Sequence, residues 1–342
     1  MRNDTRKLFT GYLHQQQRLN GVSDATEKFD VQPSVQQTLE SKIQESSAFL
    51  SKINLIGVRE MKGEKLGLGV GSTIASRTDT SGEGERKTTD PTTLSAQGYE
   101  CVQTNYDTHI RYAKLDAWAK FQDFQTKIRD VVNQRCALDR MMIGFHGASA
   151  AANTNRTANP LLEDVNIGWL KHIRTAAPER VLGDGAAAGH ITYGGAGADY
   201  KHLDALVYDA YKSLLEPWYQ EDPQLVAIVS RDLMHDKLFP LVNNNDAPTE
   251  RLAADIVLSQ RRLGGLQAVA VPYFPDGTIL ITRLDNLSIY YQLSGRRRAV
   301  IDNPKRDRVE WFESSNDAYA VEDYGLCALI ENIEQAAPPS GP

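Results

Sequence analysis

The sequence feature that most constrains the fold is a stretch in which glycine occupies every second position. In KLGLGVGSTIASRT, Lys65–Thr78, one face of an extended chain would carry Leu66, Leu68 and Val70, and the other only Gly67, Gly69 and Gly71. This period of two is typical of a β-strand with a bare second face. A polar, turn-rich segment follows, and Gln97–Tyr112 then alternates β-branched and aromatic residues again. We therefore predict a hairpin arm, made of two strands joined by a long polar tip.

The predicted arm is too long to stay on the body of one subunit. At about 3.3 Å per residue, residues 58–74 would reach roughly 55 Å, whereas a compact chain of this length has a radius of gyration of about 20 Å. An isolated two-stranded ribbon is only marginally stable in water, and a glycine face lets another backbone approach closely. We therefore expect Leu66, Gly67, Leu68, Gly69, Val70 and Gly71 to contact a neighbouring copy of the chain.

The same glycines do not form a phosphate-binding loop. The dinucleotide pattern G-x-G-x-x-G places its third glycine one position later, and the triphosphate loop needs a lysine directly before Ser72. The polar residues after Ile74 also lack the 3.6-residue apolar period of a helix, whose N-terminus would hold the anion. The run is therefore interpreted as a strand.

Composition and charge exclude several classes of protein. The chain has 342 residues, of which 41% are hydrophobic and 24% charged, so it has enough apolar residues for about two globular domains. It contains no apolar run of eighteen residues that could span a membrane, and its first residues lack the apolar core of a signal peptide. The net charge of −6 argues against a general nucleic-acid binder.

Cysteine spacing and the basic clusters point to ordinary structural roles. The three cysteines, Cys101, Cys136 and Cys327, are far apart in the sequence, which favours reduced thiols in the cytosol over disulfides or a zinc site. Two basic clusters, Arg296–Arg298 and Lys305–Arg308, are interpreted as solvated turns between strands.

Helical periodicity organises the rest of the chain. The first residues, to about Asp30, predict an amphipathic helix that is an appendage rather than part of a core, and a second helix carries Leu39, Ile43 and Phe49. The strongest pattern predicts one helix from Lys114 to Phe145, about 48 Å long, stopped by Gly144 and Gly147. A coiled coil is the alternative for this helix, but the heptad pattern does not continue.

The remaining segments mix helices and strands. Gly197–Pro217 predicts a helix and Gln224–Ser230 a short buried strand that leads into another helix. Five further strands follow, separated by turn residues such as those of Pro275–Gly277. Because the order lacks a regular β-α-β rhythm, the predicted fold class is α+β rather than a doubly wound sheet.

No residues form a recognisable catalytic, cofactor-binding or metal-binding motif. The seven histidines do not have metal-ligand spacing. GASAA around Ser149 lacks the second glycine of a nucleophile elbow, and Asn243–Glu250 lacks the central glycine of a calcium loop. The acidic and aromatic residues of Glu216–Pro223 are interpreted as a turn that ends a helix. We therefore predict a protein that is not an enzyme and needs no cofactor.

Long stretches of the chain, in order, carry a family resemblance from Met1 to about Ile333. Among them are EMKGEKLGLGVGSTIASRTDT, RYAKLDAWAKFQDFQTKIRD, LLEPWYQEDPQLVAIVSRDLMHDKLFPLVN and NPKRDRVEWFESSNDAYAVEDY. In these stretches the sequence resembles the major capsid proteins of the P-two (Peduovirus-type) tailed phages. The resemblance is weakest in Gly183–Gly197 and after Ile333.

The resemblance implies the Hong Kong ninety-seven-type phage capsid fold, in which the predicted arm is the E-loop and the long helix is the spine helix. The implied divisions are an N-terminal arm (1–56), the E-loop hairpin (57–112), a peripheral domain (113–198 and 276–335), an axial domain (199–275) and a tail (336–342). It also implies that a scaffold-protease removes about residues 1–29 during maturation, with the cut near Phe29 and Asp30.

The function implied by the resemblance is a phage head shell. The chain would assemble with itself into hexamers and pentamers in the cytoplasm of the host bacterium, and would then reside in the virion. The implied partners are the scaffold-protease, the portal protein and packaged double-stranded DNA bound without sequence specificity, with no membrane. An encapsulin-like compartment, which has the same fold and packages an enzyme, is the alternative.

Overall fold

The computed structural model describes the chain except for residues 66, 67, 71–74, 82–84, 89–91, 95–97, 122, 123, 196, 244–260 and 337–342. For residues 68–70, 92–94, 124, 125, 127, 128 and 238–243 only the backbone is described.

Helices and strands alternate irregularly along the described residues. The helices are α1 (Asn3–Asn20), α2 (Pro33–Glu45), α3 (Tyr112–Trp118), α4 (Phe124–His146), α5 (Trp169–Ala176), α6 (Leu203–Leu214) and α7 (Arg231–Asn243). The strands before α3 are β1 (Phe29–Asp30), β2 (Asn54–Val58), β3 (Lys62–Glu64), β4 (Leu68–Val70), β5 (Thr92–Leu94), β6 (Gly98–Glu100), β7 (Val102–Asn105) and β8 (Thr108–Arg111). The strands after α5 are β9 (Val181–Leu182), β10 (Ile191–Tyr193), β11 (Val226–Val229), β12 (Arg262–Leu263), β13 (Leu266–Ala270), β14 (Ile279–Thr282), β15 (Leu287–Gln292), β16 (Arg297–Asn303), β17 (Arg308–Val321), β18 (Ala328–Ile330) and β19 (Ile333–Gln335).

The long strand β17 organises the larger sheet. Along one side it pairs with β16 and then β15, and along the other with β8 and then β7, always antiparallel. β1 extends the sheet beyond β16, and β2 extends it beyond β15. A second sheet has the order β12-β13-β11-β14-β18-β9. The first sheet therefore joins the N-terminal strand, the root of the arm and the C-terminal third of the chain.

Two large apolar clusters stabilise these sheets. The first lies between α2, α4, α5 and the first sheet, where the Phe145 and Trp169 rings meet edge to face at 5.3 Å between centroids. The indole Nε1 of Trp169 donates to the Ser288 carbonyl at 2.9 Å. The second cluster packs α6 on the second sheet through Leu206 and Val207. Each fully buried side chain of this kind contributes about 1.5–3 kcal/mol.

Several predicted elements are confirmed. The α+β class is correct, Gly197–Pro217 contains α6, and Gln224–Ser230 contains β11 followed by α7. The second N-terminal helix is α2, which ends before Phe49.

The predicted single spine helix is wrong, because the structure divides it into α3 and α4. The amide of Phe121 donates to the Trp118 carbonyl at 3.0 Å in the tight turn that ends α3. The two helices bury their apolar faces in different clusters: Leu115 of α3 packs with Val309, whereas Phe145 of α4 packs with Trp169. Phe121 and Val131, which belong to the apolar pattern that predicted the single helix, are exposed.

Gly144 does not stop the helix, contrary to the prediction. It lies inside α4, which ends at His146. A Cβ atom at Gly144 would lie 2.1 Å from Cζ3 of Trp169, so glycine is required for the close approach of α4 to that ring. Gly147 is similarly crowded, because its Cβ would lie 2.2 Å from the Asn166 carbonyl oxygen.

The first helix is confirmed as α1, but it is not a free appendage. Phe9 of α1 is buried in a cluster with Tyr112, Leu115, Val300 and Trp311. The apolar stripe of α1 covers the end of the large sheet, which explains its amphipathic pattern.

Candidate functional site

The arm is present as an antiparallel ribbon. Lys62 pairs with Glu100 in the β3–β6 ladder, and Leu68 pairs with Leu94 in the β4–β5 ladder. Lys62 and Leu68 are six residues apart, and their partners Glu100 and Leu94 are also six residues apart. Both ladders therefore follow one register. Neither ladder gains a third strand from the rest of the described chain.

The predicted arm residues fall partly on this ribbon. Leu68, Gly69 and Val70 form β4, so the predicted strand is confirmed there. Leu66, Gly67 and Gly71 lie outside the described residues. The contact of this strand with a neighbouring copy stays a prediction.

The returning strand of the arm is shorter than predicted. Among the described residues of the predicted segment Gln97–Tyr112, only Gly98–Glu100 pairs with the outgoing strand. β7 and β8 belong instead to the large sheet, where Val102 lies opposite Asp317. The chain passes from the arm to the large sheet at Cys101, whose side chain is buried against Tyr290 and Ala318. Burial of this apolar cluster directs the chain into the body at that point.

The root of the arm is anchored by Lys65. Its side chain is 6% exposed, and its ammonium donates to the Val321 carbonyl and lies 5.0 Å from the centre of the Tyr324 ring. Burial lowers the pKa of this ammonium, and the Glu322 carboxylate partly offsets that effect. Tyr99 adds an edge-to-face contact with Tyr290 at 4.9 Å between ring centroids. These contacts hold the arm beside a cleft of about 820 Å³.

The predicted cleavage residues lie in an edge strand. Phe29 pairs with Arg298 and Asp30 with Arg297, so β1 borders the large sheet. The Phe29 ring is buried with Ala25 and Val31. Asp30 faces outward and forms an ion pair with Arg297 at 3.2 Å.

Polar contacts also dock the segment before β1. Arg6 of α1 forms an ion pair with Asp302 at 2.8 Å, and Trp311 Nε1 donates to the Tyr12 hydroxyl at 3.3 Å. The main-chain amide of Arg2 donates to Asp116 at 2.9 Å. The segment is therefore packed along its length rather than attached at its end alone.

A buried ion-pair network fixes the helix that follows β1. Arg140 Nη1 donates to Glu40 Oε2 at 2.5 Å and Nη2 lies 3.3 Å from Asp317, while Arg296 bridges Glu40 and Glu313. Arg298 adds a contact to Glu313 at 2.8 Å. We define the network as Glu40, Arg140, Arg296, Arg298, Glu313 and Asp317. Its three cations and three anions are balanced, which burial of charge requires.

The network overturns part of the sequence interpretation. Arg296–Arg298 was expected in a solvated turn, but Arg296 is 1% exposed and Arg298 is nearly buried, and only Arg297 faces water. Burial and exposure alternate along these arginines because Arg297 and Arg298 begin β16, where neighbouring side chains point to opposite faces. The second cluster, around Lys305, is confirmed as a turn.

The network shifts the pKa values of its carboxyl groups. Burial acts to raise the pKa of the Glu313 carboxyl, but the charges of Arg296 and Arg298 outweigh burial and lower it to about 2. The pKa of Glu40 is lowered in the same way, with burial opposed by Arg140 and Arg296. Both carboxylates are therefore ionised at neutral pH.

A family model described as "Phage major capsid protein, P2 family" matches residues 8–333. The chain belongs to this family. It is 50% identical over 341 residues to the "Capsid proteins" of Escherichia phage P2, covering 98% of this chain and 96% of that protein. It is 41% identical over 352 residues to the "Major capsid protein" of Serratia phage KSP20, covering 100% of both.

Solved structures confirm the phage capsid fold. A chain of "Satellite phage P4 procapsid including size determination (Sid) protein" has a TM-score of 0.81 and 48% identity, with 98% of this chain and 99% of that chain covered. A capsid chain of an empty GTA particle, at 15% identity and a TM-score of 0.51, covers 84% of this chain and 90% of its own, and supports the fold alone. The protein is thus a phage major capsid protein of the Hong Kong ninety-seven type.

Of the described segments considered for chemistry, one is an exposed loop and another makes structural contacts. Ser149 lies in an exposed loop, and in Glu216–Pro223 the Glu216 carboxylate pairs with Arg180 while the Tyr219 hydroxyl donates to Asp323 at 2.7 Å. The segment that was rejected as a calcium loop, Asn243–Glu250, lies outside the described residues except for the backbone of Asn243.

The described part of the chain contains neither a cluster of metal ligands nor a membrane-spanning helix. Groups of three or more His, Cys, Asp or Glu residues able to hold a metal do not occur there. Nor does any helix in those residues have the length and apolarity to cross a membrane.

Proposed function

We propose that the protein assembles with itself into hexamers and pentamers of an icosahedral phage head shell that encloses double-stranded DNA. The observation that carries this proposal is the two-stranded ribbon of β3 to β6. Its strands pair only with each other among the described residues, and the ribbon extends from the large sheet that anchors it. A two-stranded ribbon is marginal alone, so a neighbouring subunit is the surface on which it becomes stable. Repeated, modest interfaces of this kind add up around a closed shell.

The proposed partners follow the maturation of such a shell. A scaffold-protease directs assembly in the cytoplasm of the host bacterium and removes the N-terminal segment near Phe29 and Asp30. A portal protein admits the DNA, which is enclosed without sequence specificity. The net charge of −6 supports weak adhesion to the packaged phosphates.

The proposed domain division keeps a peripheral unit (113–198 and 276–335) and an axial unit (199–275). Strand β11 of the axial unit pairs with β14 of the peripheral unit, so one sheet connects them. The encapsulin-like alternative is disfavoured by the phage capsid proteins at 41% and 50% identity.

Co-expression with the neighbouring scaffold-protease gene tests the proposal. Negative-stain electron microscopy should show closed, uniform shells, and intact mass should show subunits that lack about residues 1–29. Monomers or small oligomers, obtained even with the scaffold present, would refute the shell. Uniform shells whose subunits still carry residues 1–28 would refute the cleavage.

A further inference from the structure

The side chain beside the proposed cleavage position is not accessible in the folded subunit. Phe29 is 8% exposed and packs against Ala25 and Val31. A protease binds its substrate in an extended form and places side chains beside the scissile bond in its own pockets. The Phe29 ring must therefore leave its cluster before the protease can bind this position.

Backbone hydrogen bonds hold the chain on both sides of the same position. Before it, the amide of Val300 donates to the Ala25 carbonyl at 3.0 Å. After it, the amide of Val31 donates to the Arg296 carbonyl at 2.9 Å, and the amide of Gln32 donates to Asn20 Oδ1 at 3.2 Å. The chain is thus fixed from Ala25 to Gln32.

The outer face of β1 is weakly held. The Asp30–Arg297 ion pair has both side chains more than half exposed, and such pairs contribute little. β1 is two residues long and lies at the sheet edge. A short edge strand of this kind can open locally without unfolding the domain.

We propose that release of β1 from β16 is the step that exposes the Phe29–Asp30 region, so that local opening of the subunit controls N-terminal cleavage. This inference rests on the proposed function, because it presupposes a cut in this region. Opening removes Phe29 from its cluster and breaks the contacts with Arg296 and Arg297. The chain after β1 stays attached, because Glu40 remains in the buried network.

We call the release of β1 from β16 the gate. A disulfide between β1 and β16 tests it, because the disulfide prevents this release. Because Val31 binds the Arg296 carbonyl, Asp30 and Arg297 form a non-hydrogen-bonded pair, in which Cα atoms lie about 4.5 Å apart. That separation suits a disulfide, so D30C/R297C locks the strand when oxidised. The native cysteines are buried, and burial raises the pKa of each thiol to about 12, which keeps them from competing.

Purified D30C/R297C chain, oxidised or reduced, is incubated with the scaffold-protease and followed by intact mass. We expect cleavage of the reduced form and loss of cleavage in the oxidised form, restored by reductant. Equal cleavage of both forms would overturn the gate and leave the proposed cut intact. If neither the unaltered chain nor the reduced variant is cut in this region, the proposed cleavage fails, and the gate with it.

The substitution at Asp30 can itself impair recognition by the protease, since it lies at the proposed cleavage position. A second variant therefore leaves residues 1–31 unchanged. Arg297→Glu places a like charge opposite Asp30, which favours opening, so cleavage should be about two- to fivefold faster. Arg306→Glu, in the exposed turn between β16 and β17, is the matched control and should be cut at the original rate. An Arg297→Glu variant that is cut no faster than this control would overturn the gate.

Discussion

Replacement of Arg296 by methionine should destabilise the protein strongly. Arg296 bridges Glu40 of α2 and Glu313 of β17, and is 1% exposed. Methionine fills much of the volume of the aliphatic stem, so the main loss is electrostatic. Glu40 then keeps Arg140 as its only cation in the network, and the network has three carboxylates for two guanidinium groups.

The magnitude follows from the cost of an uncompensated buried charge. Removing one partner of a buried ion pair costs about 3–5 kcal/mol. Native domains are stable by about 5–15 kcal/mol in total, so this is a large share of the free energy of unfolding. The adjacent Arg297 gives a matched control, because its ion pair with Asp30 is exposed and contributes at most about 1 kcal/mol.

Urea denaturation followed by circular dichroism measures the difference. At an m value of a few kcal/mol per molar, Arg296→Met should lower the midpoint by about 1 M or more, and Arg297→Met by no more than about 0.3 M. Equal, small shifts for the two variants would refute the inference that the buried network stabilises the fold.

Substitutions at Glu313, Phe9 and Gly144 test three other contacts. Because the pKa of Glu313 is lowered from its ordinary value of 4.5 to about 2, its stabilisation is complete above about pH 4.5 and is lost as pH falls toward 2. Glu313→Gln should therefore flatten the fall in melting temperature over that interval, and an unchanged pH profile would contradict the assignment. Phe9→Ala should remove about 3–5 kcal/mol of hydrogen-exchange protection from α1. Leu8→Ala, at a residue 40% exposed, should change that protection by less than about 0.5 kcal/mol. Equal effects of the two substitutions would contradict the docking of α1. Gly144→Ala should cost about 1–3 kcal/mol and alter Trp169 fluorescence, since its Cβ would overlap the indole ring; an unchanged unfolding midpoint would count against this close approach.

Local patterns predicted the elements whose side-chain period matches their secondary structure. The alternation at Leu68–Val70 located a strand of the arm, and the spacing of Leu203, Leu206, Val207 and Ala210 located α6. The α6 pattern reflects a single buried face, which neighbouring residues in the sequence determine.

The misinterpreted features depend on residues far apart in the sequence. The division of the spine into α3 and α4 follows from two separate clusters, one of which includes Phe9. The burial of Arg296 requires Glu40, which lies 256 residues away in the sequence. A signal was present in β16, where Arg298 and Val300 share one face, but the carboxylate that pairs with Arg298 comes from β17.

In the proposed closed shell, the arm of each subunit lies on a neighbouring subunit. Cryo-electron microscopy of shells from co-expression with the scaffold-protease tests it most directly, because it follows the ribbon from Lys62 to Glu100 in assembled particles. We expect the ribbon to cross from its own subunit onto the next and to bury the β4 strand there. A ribbon that folds back onto its own subunit, with shells closed by other contacts, would contradict it.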